Sequence, residues 1–108
     1  MSLRSKFVSS AAILSLACLA LAPAAAAQDG GATYKAKCAM CHGVDGKGHT
    51  PMGKTFKIED LTSPAVKKMS DAELEAIVSK GKGHMPAYGS QLGPAGVKAV
   101  VAYIKSLK

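Results

Sequence analysis

The sequence predicts a small all-α domain that follows an export signal. Three observations support this class: apolar residues recur at three- and four-residue steps near the end of the chain, Gly- and Pro-bearing loops separate short helical patterns, and one of these patterns begins with a capping box. The chain has 108 residues, with 14 Lys+Arg against 7 Asp+Glu and a net charge of +7. This length accommodates one small basic domain.

The first 27 residues have the pattern of a cleaved secretory signal peptide. Arg4 and Lys6 precede an almost unbroken apolar run over 7–22, and alanines lead up to Ala27. A retained membrane anchor is the alternative, but a spanning helix needs roughly 20 apolar residues and this run is shorter. Cys18 resembles a lipid-attachment cysteine, yet the apolar run continues past it. We therefore expect 1–27 to be removed together with Cys18.

The predicted mature domain, 28–108, has few of the residues that usually fill a core. Its aromatic residues are Tyr34, Phe56, Tyr88 and Tyr103. A domain of this size rarely gains enough stability from apolar side chains alone, and it usually requires a disulfide, a metal or a cofactor. We expect another group to complete its interior.

The first helix of the mature domain is predicted from about Gly31 to Met40. One face of it carries residues at spacings of four, four and three, namely Gly30, Tyr34, Cys38 and Cys41. Four glycines and Pro51 follow over 43–53, and this composition predicts a tight loop.

Three further helices are predicted along the rest of the chain. Ser63 and Pro64 supply an N-cap and a first helical position, which indicates a short helix through Met69. Ser70 and Glu73 form a capping box for the next helix, which is predicted to end at Lys80 because Gly81 follows it. A Gly- and Pro-bearing loop is predicted over 81–93. The last helix starts at Pro94 and has an apolar stripe made of Val97, Val100, Val101, Ile104 and Leu107.

The motif that decides the function is Cys38-Ala39-Met40-Cys41-His42, the C-x-x-C-H signature of c-type haem attachment. Two thiols three positions apart at a helix end can each bond to a vinyl group on one edge of a porphyrin. The imidazole of the next residue is then placed beneath the iron, for which neutral histidine is a good ligand. Two alternatives are a redox disulfide, which needs a βαβ scaffold, and a zinc site, for which His49 and His84 lack paired spacing.

Over Gly30 to Lys108 the sequence resembles the small monohaem class I cytochromes c of bacteria, which are c6-like electron carriers. Besides C-x-x-C-H, the resemblance rests on the segments 43–48, 81–88 and 100–104, and on Gly30 and Tyr34. It implies about four short helices around one covalent haem c with its iron. It implies that Met85, in the Met-Pro pair, is the sixth iron ligand opposite His42. It also implies that the first helix crosses the last, with Gly30 and Tyr34 against Val100 and Tyr103.

The residues themselves leave other candidates for the sixth ligand open. A thioether in a Gly-rich loop closed by Pro86 suits the role of Met85, whereas a core-filling role is the plain alternative. His84, Met52 and Met69 are rivals for the iron, and Met40 is excluded because it lies between the two cysteines. Larger members of the family place a proline carbonyl where it accepts a hydrogen bond from the haem histidine, and here the nearest following proline, Pro51, is the candidate acceptor for His42.

These ligands predict a soluble periplasmic one-electron carrier that is not an enzyme. If His42 and Met85 fill both axial positions, no site is left for oxygen, peroxide or substrate. The alternatives are an electron-transfer subunit of a dehydrogenase or oxidase complex, or a haem-based sensor or peroxidase with an open sixth position. The walls of the haem pocket are predicted to include Phe56, Val78, Tyr88, Leu92, Val97 and Val101.

The charge pattern predicts the kind of partner. Lysines recur along the loops, and some are expected to ring the haem edge, where they would attract redox proteins with acidic docking faces; they are Lys47, Lys54, Lys57, Lys67, Lys68, Lys80 and Lys82. Scattered solvated lysines are the plain alternative. We expect a monomer with no stable membrane anchor and no nucleic-acid partner.

Overall fold

Six α-helices follow one another in the computed structural model, which describes residues 29–108. They are α1 (Gly30–Lys37), α2 (Ala39–His42), α3 (Pro51–Phe56), α4 (Pro64–Lys67), α5 (Asp71–Lys80) and α6 (Gly89–Ser106). The part of the chain described here holds no β-strand, only an isolated bridge between Lys82 and Met85. The predicted all-α class is confirmed. The predicted signal peptide, 1–27, and Cys18 lie outside the described residues.

The first predicted helix is divided at Cys38. Its backbone (φ −110°, ψ −35°) forms the C-cap of α1 and the N-cap of α2. Helical hydrogen bonds nevertheless continue on both sides, because the Cys38 N–H donates to Tyr34 O (2.8 Å) and the His42 N–H donates to Cys38 O (3.0 Å). The two cysteines therefore remain about one turn apart.

The prediction of a loop through Gly53 is wrong at its end, where α3 begins at Pro51. Thr50 caps this helix, since its Oγ1 accepts a hydrogen bond from the Gly53 N–H at 2.8 Å. Thr50-Pro51 is thus the same signal as Ser63-Pro64, and the surrounding glycines masked it. Gly53 is required for close packing, because a Cβ there would lie 2.1 Å from Gly48 O.

The later helices follow their sequence signals with two differences. Ser70 and Glu73 form both hydrogen bonds of the capping box, and α5 ends at Lys80 as predicted. The short helix α4 ends at Lys67 rather than Met69. The final helix begins at Gly89, so the predicted loop over 81–93 ends earlier. The non-helical backbone of Gly93 (φ 66°, ψ 170°) interrupts α6 just before Pro94, where the helix was predicted to start.

The core lies where α6 packs against α1 and α5. Buried side chains from these helices and from α4 meet there: Tyr34, Val66, Leu74, Val78, Val97, Val100, Val101 and Ile104. None of the helices within residues 29–108 combines the length and apolar character that a bilayer crossing requires.

The crossing of α1 and α6 is the tightest contact in this core. A Cβ at Gly30 would lie 2.1 Å from Ala99 O, so only glycine lets the two backbones approach this closely. The rings of Tyr34 and Tyr103 pack across the crossing with their centroids 5.2 Å apart, and Val100 is fully buried beside them. The crossing implied by the family resemblance is confirmed.

Candidate functional site

A cavity of about 890 Å³ opens between α1–α2, α3, α5 and the segment that follows α5. Cys38, Cys41, His42 and Met85 all line it, although they come from two distant parts of the sequence. Its volume lies within the range of about 300–1,000 Å³ that is usual for cofactor pockets. The four residues singled out by their motifs are therefore brought together at one site.

The cysteine and histidine side chains enter the cavity from α1 and α2. Both thiols are free and partly exposed, and burial raises the pKa of Cys38. Burial lowers the pKa of His42, which favours the neutral imidazole that can donate a lone pair to a metal. Its Nδ1 is buried and has no hydrogen-bond partner among residues 29–108.

A network of hydrogen bonds fixes the chain on either side of His42. The Tyr34 hydroxyl donates to Gly43 O at 2.6 Å, and the Gly48 N–H donates to His42 O at 2.7 Å. Thr50 Oγ1 donates to Cys41 O at 2.7 Å, while it also caps α3. Burial raises the pKa of the Tyr34 hydroxyl, so it stays protonated and keeps donating. The sequence analysis missed Thr50, which the Thr-Pro cap signal could have revealed.

Met85 lies in a tight turn that we call the Met85 turn, residues 82–85. Lys82 and Met85 exchange two backbone hydrogen bonds, with N···O distances of 3.1 and 3.0 Å. Gly81 (φ 74°) precedes it, and a Cβ at that position would lie 2.6 Å from Met85 O. The turn is joined to α5 because the Tyr88 N–H donates to Val78 O at 2.9 Å.

The other candidates for the sixth ligand also border the cavity. His84, Met52 and Met69 are among its lining residues. The ring of His84 stacks on that of Phe56, with centroids 4.1 Å apart and planes 20° apart. Met52 is 39% exposed on α3.

The predicted hydrogen bond between His42 and the Pro51 carbonyl is not formed. The carbonyl of Pro51 accepts a hydrogen bond from the Thr55 hydroxyl at 2.9 Å instead, and His42 Nδ1 is left without a partner. Pro51 is the first residue of α3, so its carbonyl belongs to the first turn of that helix and takes a side-chain bond there. A zinc site needs several ligands close together, and residues 29–108 contain no cluster of three or more His, Cys, Asp or Glu side chains that could hold a metal ion.

The cavity walls agree with the predicted walls only in part. Phe56, Val78 and Tyr88 line the cavity as predicted, but Leu92, Val97 and Val101 do not. Leu92, Val97 and Val101 pack within the helix core instead. Several apolar wall residues were not predicted: Ile58, Leu61, Val66, Leu74, Ile77 and Ile104. Helical periodicity shows that a residue is buried, but it does not show which of two interior surfaces the residue faces.

Some of the predicted lysines border the cavity, and others do not. Lys57 and Lys82 line it, together with Lys37, which was not among the predicted lysines. Lys67 is directed elsewhere, because its Nζ donates to Lys105 O (2.8 Å) and to Leu107 O at the end of α6. Lys47 donates to Thr62 at 3.3 Å.

These donors suit a covalently attached haem. The apolar walls match a porphyrin face, the thiols can form thioether bonds, and a neutral buried imidazole with a thioether sulfur is a ligand pair that iron accepts in haem proteins. The buried His42 Nδ1 has no hydrogen-bond partner within residues 29–108, and such an unsatisfied polar atom fits a site that holds a bound group.

Comparison with known proteins identifies the same class. Residues 25–104 match the family described as cytochrome c oxidase, cbb3-type, subunit III. Cytochrome c6 of Microcystis aeruginosa is 39% identical over 79 residues, which cover 70% of this chain and 90% of that protein. The cbb3-type oxidase subunit FixP of Azorhizobium caulinodans is 33% identical over 83 residues, which cover 76% of this chain and 27% of FixP.

A solved structure agrees with this family. The KustC0563 c-type cytochrome superimposes with a TM-score of 0.69 at 29% identity, over 74% of this chain and 98% of its own. The predicted fold is confirmed by this likeness. The chain therefore belongs to the small monohaem class I cytochromes c, and its cofactor is covalently bound haem c with its iron.

Proposed function

We propose that the protein is a soluble, non-enzymatic electron carrier of the periplasm, with its haem attached through Cys38 and Cys41 and ligated by His42 and Met85. The observation that carries this proposal is the single cavity that all four side chains line. The match to cytochrome c6 of Microcystis aeruginosa supports the carrier role. The predicted signal peptide over 1–27 supports export.

The two cysteines hold the cofactor permanently. Each thiol would hold the porphyrin through one carbon–sulfur bond to a vinyl group, with the thiol hydrogen transferred to the other vinyl carbon. Because Cys38 and Cys41 lie about one helical turn apart and both line the cavity, both thiols would be available to the same porphyrin. The covalent tether would keep the adjacent His42 imidazole available as an iron ligand.

Two protein ligands make the site a carrier rather than an enzyme. When bound, the haem supplies reversible one-electron chemistry between Fe(II) and Fe(III). His42 and Met85 would both hold the iron, so that no ligand position would remain for a substrate. The hydrogen-bonded Met85 turn and the hydrogen-bond network around His42 hold both ligands in place. Little rearrangement should therefore accompany the change of oxidation state.

The walls of the cavity favour the reduced state. Val66, Leu74, Ile77 and Val78 form an apolar part of the cavity wall, and an apolar environment disfavours the extra positive charge of ferric haem. Methionine ligation has the same effect on the potential. Both features predict a carrier that accepts electrons readily.

The mouth of the cavity is suited to a transient redox partner. Met40 is 78% exposed, and it lines the cavity together with Lys37, Lys57 and Lys82. An exposed apolar side chain that shares the cavity lining with exposed lysines fits a partner whose docking face carries acidic and apolar groups. Such an encounter is fast and weakens as ionic strength rises.

A second candidate function has an observation in its favour. The matched family and FixP are subunits of cbb3-type oxidases by description, so the domain would then serve as an electron-transfer subunit of a larger complex. Purification from the native membrane fraction separates the two roles. A carrier is recovered alone from the soluble fraction, whereas a subunit is recovered with its complex.

Carbon monoxide tests the carrier against a sensor or peroxidase. The ferrous protein is exposed to carbon monoxide and its absorption spectrum is followed, with Met85→Ala as the matched open-site variant. The proposal predicts no spectral change in the parent and a clear change in Met85→Ala. A parent that binds carbon monoxide as readily as the variant would overturn the proposal.

A further inference from the structure

The base of the Met85 turn is firmly joined to the helices. The Tyr88 N–H donates to Val78 O at 2.9 Å, and the Tyr88 hydroxyl reaches Lys37 O at 3.4 Å. Backbone bonds between Lys82 and Met85 close the turn itself. These contacts fix the shape of the turn and its attachment to α5, but they all lie at its base or within it.

The tip of the turn is held differently. A Cβ at Gly83 would meet nothing within 4 Å, so the backbone at the tip faces open space. The next residue, His84, is exposed, yet its ring stacks on that of Phe56, with centroids 4.1 Å apart. The tip is therefore supported by an aromatic contact with another element.

The partner in this contact belongs to the histidine side of the site. Phe56 is the last residue of α3, which Thr50 caps, and Thr50 Oγ1 also donates to Cys41 O at 2.7 Å. Gly53 of the same helix packs against this segment so closely that a Cβ would lie 3.0 Å from Cys41 O. Phe56 is thus mounted on the element that is anchored next to His42.

We propose that the Phe56–His84 stack is a strap that ties the Met85 turn to the His42 side of the haem cavity and holds Met85 on the iron. Both residues line the cavity. They act as positioning residues: neither needs to contact the iron, and each acts through the position of Met85. This inference rests on the proposed ligation by Met85.

The strap has a measurable consequence for the sixth iron position. Release of the tip allows the turn to swing on its base, so that Met85 leaves the iron more often and an external ligand competes better. Aromatic pairs of this kind are worth enough to change such an opening equilibrium about 2- to 10-fold. A variant that disrupts the fold would instead have a lower free energy of unfolding in urea.

Imidazole binding to the ferric, haem-loaded protein tests the strap. The variants are Phe56→Leu, His84→Ala, their double variant and the conservative Phe56→Tyr, with His49→Ala as a control at another exposed histidine outside the cavity lining. The readouts are imidazole affinity, the long-wavelength absorption band that sulfur ligation gives to ferric haem, and urea unfolding. His84→Ala alters an exposed side chain, so it keeps the test valid if Phe56→Leu destabilises the fold.

The strap predicts that Phe56→Leu and His84→Ala each raise imidazole affinity about 2- to 10-fold, and that the double variant does no more than either one. Phe56→Tyr and His49→Ala should match the parent. Imidazole affinities of the single variants that stay at the parent value would overturn the strap, and so would single-variant effects that add in the double variant. In either case, a sulfur band in the parent would leave the proposed function standing. A parent without the sulfur band would overturn the ligation by Met85, and with it the strap.

Discussion

Replacement of Gly30 by alanine tests the crossing of α1 and α6, which supports the whole site. The new Cβ would lie 2.1 Å from Ala99 O and 2.6 Å from Ala99 C, and these backbone atoms cannot rotate away. The helices must separate, and overpacking of this kind costs about 1–3 kcal/mol, from which up to about 1 kcal/mol of better helix propensity is recovered. Because the clash is with backbone atoms, we take the upper end of that range, about 3 kcal/mol, and expect a net loss of about 2–3 kcal/mol, or roughly 8–24 °C in Tm for a domain of this size.

Gly31→Ala is the matched control. Its Cβ would meet Tyr103 Cε2 at 3.2 Å and Asp29 Oδ1 at 3.4 Å, which are side-chain atoms that can move aside. Urea unfolding of the haem-loaded proteins, followed by circular dichroism and linear extrapolation, gives both free energies. The control should be no less stable than the parent. Equal stability of Gly30→Ala and the parent, or equal losses at both positions, would refute the role of the close crossing.

Three further predictions concern hydrogen bonds. Tyr34→Phe removes the bond to Gly43 O and should lower the free energy of unfolding by about 0.5–1.5 kcal/mol in the urea assay. Ser70→Ala removes the capping box and should cost about 1 kcal/mol, measured as a lower urea midpoint. Hydrogen bonds from Thr62 lower the pKa of Asp60, so the charged carboxylate stabilises the fold at neutral pH and this contribution disappears as the pH falls through that lowered pKa. The stability difference between the parent and Asp60→Asn should therefore shrink from pH 7 to pH 3.

The sequence predicted those parts of the molecule that are fixed by local chemistry. Cys38, Cys41 and His42 were predicted from their spacing as haem-binding residues, and the bounds of α5 were predicted from its capping box, because both signals lie within a few neighbouring residues. Met85 required the family resemblance, since a methionine beside a proline does not by itself specify a metal ligand. The structure places all four at one cavity.

Other features depend on long-range packing and could not be predicted in this way. Val97 and Val101 have the periodicity of buried residues, but only the packing of α6 on α1 and α5 decides that they face the core rather than the cavity. The use of Lys67 as a cap for the end of α6 joins residues far apart in the chain. Pro51 was expected beside His42, yet its place at the start of α3 gives its carbonyl another partner.

The absorption spectrum of the ferric protein tests the central claim most directly. The sulfur band is recorded for the parent, for Met85→Leu, and for Met52→Leu and Met69→Leu as controls at the other methionines that line the cavity. Leucine keeps the apolar volume and removes only the sulfur. Ligation by Met85 predicts that the band is lost in Met85→Leu and kept in both controls. A band that survives in Met85→Leu, or that disappears in either control, would contradict it.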